Sequence, residues 1–227
     1  MAEEWVEAWR SLRGAGFLHA VRDAHREATL RVFEGMDRAE GFTERSFGVG
    51  AFDVLASRLD AVLGLGGEGP AVAGAVRDDL NQSPGWRVGR YRMLLKRHTF
   101  GQVRRLRWDR DSPTKQAVAR QAYADDAQLA LPLGLPPGVS TADTPGIVTL
   151  VLAHSATDEP LDMELYLGRP RWNADGGDAW HWVRRLDDRA LGADPRRKLD
   201  EATLPLWSDG SADVPMRRRR ETSTETT

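Results

Sequence analysis

Two hydrophobic periods divide this chain, and they constrain its fold more than any other feature. Ile147–His154 is an apolar run rich in β-branched residues, and Ser155–Pro160 supplies a turn. Leu161, Met163, Leu165 and Leu167 then alternate with Asp162, Glu164 and Tyr166. Such a run followed by alternation predicts an antiparallel hairpin whose second strand buries one face. A third strand, Ala179–Leu186, is expected to join it. In the first eighty residues the period is helical instead. Trp5, Ala8, Trp9 and Leu12 share one face, as do Phe17, Val21, Ala24 and Ala28. Val49, Phe52, Leu55, Leu59 and Val62 follow the i, i+3, i+4 rule. Pro70 suits the first turn of a fourth helix over 70–81, with Val72, Val76 and Leu80 stacked on one side.

Strands and helices confined to opposite ends of a chain specify an α+β fold. The expected architecture is an N-terminal helical bundle packed on a C-terminal antiparallel sheet. At 227 residues, 41% hydrophobic and 29% charged, the chain is long enough to bury one proper core. The composition divides it into a helical region (1–82), a basic ribbon plus helix (83–130), a Pro-rich linker (131–146), an antiparallel β region (147–211) and a disordered tail (212–227).

Between these ends lies a stretch of strong charge asymmetry. Residues 86–120 hold eleven Arg or Lys against two acids, interleaved with Trp86, Tyr91, Phe100 and Trp108. The whole chain carries a formal charge of −2, so the remainder must be strongly acidic. Alternation through Tyr91, Met93 and Leu95, and again through Arg104, Leu106 and Trp108, predicts a basic β-ribbon with its loop near His98–Gly101. Ser112 and Pro113 then make an N-cap and first-turn pair for a helix reaching about Asp126.

Several classes of function are excluded or weakened by what the chain lacks. It has no cysteine, which removes disulfides, thiol nucleophiles and Cys-ligated zinc. The longest apolar run, near 146–153, is too short to span a bilayer, and the N-terminus carries no signal-peptide pattern. A cytoplasmic location is therefore expected. Only three of the 32 basic residues are lysines, a bias expected of a GC-rich bacterial genome.

Local motifs each have a structural explanation beside the chemical one. Ser112-Pro-Thr-Lys115 fits the S-x-x-K pattern at a helix start, where the amine would lie one turn below the hydroxyl. The companion strand motif is absent, and capping explains Ser112 by itself. Asp158, Glu159, Asp162 and Glu164, with His154 across the hairpin, are the best carboxylate cluster for a divalent cation, and would support a metal-dependent nuclease or hydrolase. Tyr166 stands where a nuclease-like pattern wants Lys, and a solvent-facing charged turn accounts for the same residues. His19 and Asp23 are an i, i+4 pair. The Gly64–Gly69 segment lacks the ending of a phosphate-binding loop, and neither a cofactor nor a bound metal is expected. Trp180, Trp182 and Arg184 are expected to share one strand face, suited to stacking or to a core. The Arg217–Arg220 run would add at most non-specific electrostatic affinity.

The basic stretch therefore ranks the functions. The leading expectation is a non-catalytic nucleic-acid-binding protein. Arg87, Arg90, Arg92, Lys96, Arg97, Arg104, Arg105 and Arg107 would hold phosphates while Tyr91 or Trp108 stacks on bases. The alternative is a protein-interaction subunit that docks an acidic partner through the same surface. Neither involves a membrane.

Overall fold

The computed structural model describes residues 2–65, 72–81, 83–121, 146–158 and 160–187. The Pro-rich linker (apart from Gly146), the Gly66–Gly69 segment, Glu159 and the C-terminal tail with its Arg217–Arg220 run lie outside them. The chain is α+β, as its two periods predict. Helices α1 (Ala2–Gly14), α2 (Phe17–Gly35) and α3 (Glu44–Val62) come first. Strands β1 (Ala75–Arg77), β2 (Gly85–Val88) and β3 (Tyr91–Arg97) follow. Helix α4 (Pro113–Arg120) precedes β4 (Val148–Asp158), β5 (Leu161–Pro170) and β6 (Trp180–Arg185). None of the described helices is long and apolar enough to cross a membrane.

Capping fixes where the helices begin. Gly16, at φ 79°, makes the left-handed turn between α1 and α2 that a side chain would resist. At the start of α3, the Thr43 hydroxyl accepts from the Ser46 amide, and the Ser46 hydroxyl accepts in return from the Thr43 amide. Ser112 caps α4 as its sequence predicts, accepting from the Lys115 amide at 3.4 Å.

The six strands form one sheet in the order β1-β2-β3-β4-β5-β6. Every neighbouring pair is antiparallel except β3 and β4, which run parallel with Tyr91 opposite Val148 and Arg97 opposite His154. A parallel pair needs a long crossover, which residues 98–147 provide. One face of the sheet packs on the three helices. There Leu12, Phe17, Leu18, Leu55 and Leu59 meet Trp86, Met93, Leu150, Leu152 and Leu167, all fully buried. The other face carries a second core in which Leu94, Val151 and Ala153 meet Trp108, Val118 and Trp180.

Three expected elements differ. Residues 70–81 are not a helix: the described part, from Val72, contains β1, with Asn81 in a positive-φ turn. The spacing of Val72, Val76 and Leu80 suits either state, and acids decide between them. Asp78 donates its amide to the Gly85 carbonyl, and the Asp79 carboxylate accepts from the Gly85 amide, which pins this segment to β2. The basic ribbon also lacks its second strand. Both edges of β3 are occupied, by β2 and β4, so residues 103–110 cross the outer face as 3₁₀ turns at Val103–Arg105 and Trp108–Arg110. The third difference lies on β6. Trp182 packs toward the helices, whereas Trp180 belongs to the second core, because a register shift at Arg169/Pro170 places Pro170 opposite Trp180 and Arg169 opposite Trp182. Gly168 makes room for the crossing, since a Cβ there would stand 2.6 Å from the Trp180 ring.

Candidate functional site

The cations of the basic stretch are largely neutralised from within. Arg87 and Arg92 share Asp78, at 2.7 and 2.9 Å, and the Arg92 side chain is only 6% exposed. Arg90 lies over the Tyr91 ring and pairs with Glu7 of α1 at 3.1 Å. Lys96 pairs with Asp111, and Arg97 reaches Glu44 of α3 at 3.4 Å. Arg107 grips Asp109 with two hydrogen bonds, which hold that carboxyl below its ordinary range. The two rings expected to stack on bases are interior. Tyr91 belongs to the helix-side core, and Trp108 is fully buried in the other. A ring without an exposed face cannot stack on a base, so that role is withdrawn for both.

Arg104 and Arg105 stand apart. They project from the first 3₁₀ turn into solvent, and among the described residues neither meets a carboxylate at salt-bridge distance. With Tyr166 of β5 and Val183, Arg184 and Arg185 of β6 they line a groove of about 560 Å³. Arg184 also rests over the Trp5 ring at 4.1 Å, and Arg185 donates to the Met163 carbonyl at 3.0 Å, with Asp162 4.0 Å away. Sequence reasoning had no way to join Arg185 to this group, because β6 lies some eighty residues downstream of the turn. The only available signal was its position on a strand beside a basic neighbour.

A second concavity opens on the opposite side of the sheet. It measures about 660 Å³ and lies between α2, α3 and the carboxyl ends of the parallel pair β3 and β4. Its inner wall holds His25, Thr29, His154 and Ser155, all buried. Burial lowers the His25 pKa to about 4 and that of His154 well below its ordinary value. His98 is also lowered by burial. Its Nδ1 lies 2.9 Å from the Thr99 carbonyl, which places the ring proton on Nδ1 and the lone pair on a buried Nε2. These three rings are therefore neutral at pH 7. Phe33 and Phe47 form a tilted pair with centroids 5.6 Å apart along the side. At the mouth, Arg38 bonds both Asp158 (2.6 Å) and Glu44.

The remaining motifs find structural partners. Lys115 is buried, its amine donating to the Leu95 carbonyl at 2.8 Å while burial lowers its pKa to about 8; the Ser112 hydroxyl caps α4. Asp23 is bonded by Arg22. The acidic hairpin does not gather into a ligand set. Asp158 turns to Arg38, and Glu164 is buried, accepting from the Gly101 amide and the Tyr166 hydroxyl. His154 faces His25 beneath α2, with ring centroids 5.9 Å apart. Among the described residues no three His, Asp or Glu side chains converge as a metal site would require. No family model, curated protein or solved structure matches the chain.

Proposed function

We propose that the protein binds a polyanion, nucleic acid above all, through the groove beside β6 rather than through the whole basic stretch. The observation that carries this reading is the pairing state of the arginines. Arg104 and Arg105 are exposed without a carboxylate partner among the described residues, and Arg184 and Arg185 join them from a distant strand. Phosphate contact needs cations free to trade counterions, and these are the best placed to do so. Because Tyr91 and Trp108 are buried, the groove offers mainly charge, its aromatic lining being the half-buried Tyr166 ring whose hydroxyl is held by Glu164. Binding should therefore depend on salt, and little on base sequence or strandedness.

The test is fluorescence anisotropy with labelled single- and double-stranded oligonucleotides across a salt series. Four phosphate contacts on duplex DNA give a slope of log affinity against log salt of about −3.6. Changing Arg104 and Arg105 to Glu should abolish binding at an unchanged melting temperature. Weak signals that ignore salt would end the proposal.

A protein partner is the second reading, and the free edge of β6 favours it. Among the described strands β6 has a neighbour only on the β5 side. An acidic extended segment could add to that edge while its carboxylates meet the same arginines. Co-purification that survives nuclease treatment would select this reading over the first.

A further inference from the structure

We propose that the cavity between α2, α3 and the carboxyl ends of β3 and β4 binds a small organic acid with an aromatic or branched apolar body. This site is separate from the β6 groove, and the inference does not rest on the polyanion reading.

Size and position come first. About 660 Å³ falls within the range of small-molecule pockets, roughly 300–1,000 Å³. β3 stops at Arg97 while its parallel neighbour β4 runs on to Asp158, so the cavity opens where β3 leaves the edge of β4 uncovered. This is the carboxyl end of a parallel pair, where ligands of sheet proteins commonly sit. Here Arg97 and His154 are register partners at that end, and the His98 amide donates to the His154 carbonyl.

The wall chemistry then selects the ligand. Val32, Phe33, Phe47 and Ala51 present an apolar side for a ring or a branched chain. The inner wall is polar but carries no charge at pH 7, since its imidazoles are neutral, so it suits the uncharged body of a ligand. Fixed charge is concentrated at the mouth, where Arg38 keeps Asp158 on its Nε at 2.6 Å and, with Arg97, turns its remaining guanidinium face to one further carboxylate.

What those two arginines hold identifies the charged group. The Glu44 carboxylate spans them, one oxygen on Arg38 and the other on Arg97. Its side chain is 68% exposed, so this is a loosely held surface contact that another acid can replace at little cost. Glu44 thus occupies the place of a ligand carboxylate. Gly48 positions the second arginine: a Cβ there would stand 2.4 Å from an Arg97 guanidinium nitrogen, so glycine lets the guanidinium lie against α3.

Calorimetric titration of the full chain with 2-naphthoate, and with 2-naphthamide as its neutral counterpart, tests the proposal. Saturable binding of one naphthoate per chain is expected, with the amide about tenfold weaker. Arg97→Gln should remove that preference. Glu44→Gln should tighten naphthoate by several-fold, a gain that a purely structural Glu44 would not give. Ala51→Trp should fill the cavity and abolish binding of both compounds. If Ala51→Trp fails to fold, the two variants at exposed positions decide the matter. The proposal is overturned if naphthoate does not saturate, if acid and amide bind alike, if Glu44→Gln weakens binding, or if a folded Ala51→Trp protein binds as before.

Discussion

The Trp108 and Trp180 rings meet edge to face, centroids 5.1 Å apart and planes at 87°, and each indole donates into the other's segment. Trp108 Nε1 bonds the Ala179 carbonyl at 2.6 Å, and Trp180 Nε1 bonds the Val103 carbonyl at 2.9 Å. Asn173 closes the arrangement, accepting from the Trp108 amide and donating to the Leu106 carbonyl. The 3₁₀ turn that presents Arg104 and Arg105 is thereby fixed to the start of β6, which presents Arg184 and Arg185. Aromatic residues that look like base platforms in the sequence act instead as the scaffold beneath the cations.

Replacing Trp108 separates those two roles. Trp108→Phe removes one of the two donors on the Ala179 carbonyl, which keeps the Arg171 amide at 2.9 Å, and should cost about 0.5–1.5 kcal/mol for the lost bond. Trp108→Ala should cost about 3–5 kcal/mol. Urea unfolding measures both. Oligonucleotide affinity of the Phe variant, assayed where it remains folded, should match that of the parent. A selective loss of single-strand binding would return Trp108 to a stacking role.

Cations of the basic stretch should divide sharply by their effect on stability. Arg92 is buried against Asp78, which Arg87 also holds, so Arg92→Ala removes one of two cations from that carboxylate together with a buried side chain and should cost about 1–3 kcal/mol. Arg104→Ala with Arg105→Ala touches only solvent-facing side chains and should change stability by less than about 0.5 kcal/mol per site. Thermal and urea melts of the two variants, run side by side, check the contrast.

Acid should unfold the protein through its histidines. The folded-state pKa of His25 is about 4 against 6.5 for the free side chain, and His98 and His154 are lowered as well. Between those values the unfolded chain binds more protons than the folded one. Stability from these groups is thus complete above pH 6.5 and is lost as the pH falls toward 4. His25 alone accounts for a change on the order of 3 kcal/mol. Urea midpoints measured across this interval should decline steadily, and His25→Leu should flatten the decline.

Much of the fold was legible because burial imposes a period. Leu55 and Leu59 on α3, and Leu165 and Leu167 on β5, lie inside as their spacing requires. The segment around Val76 was not legible, because three apolar residues four apart fit a helix as well as a short strand pinned by Asp78 and Asp79. Alternation at Val103–Trp108 misled for a different reason. The side chains that enter the second core there are Val103, Leu106 and Trp108, drawn from both phases of the alternation, because the chain crosses that core in 3₁₀ turns. The candidate site suffered most. Whether an arginine is free depends on acids far away in sequence, as Arg90 depends on Glu7 and Arg97 on Glu44. No local spacing reports such distant pairs.

The parallel pairing of β3 with β4 also sets the order in which this protein can be made. Tyr91 finds its neighbour only at Val148, so the middle of the sheet stays open while the crossover between them is synthesised. Until then the apolar sides of α1, α2 and α3 have only the β1–β3 hairpins to cover them, without Leu150, Leu152 or Leu167. A nascent chain halted before β4 is an incomplete sandwich with sticky helices and a bare central strand, the kind of species that chaperones retain. Leu150, Leu152 and Leu167 reach the helix side only when the β4–β5 hairpin emerges, and the second core waits longer still, for Trp180 of β6.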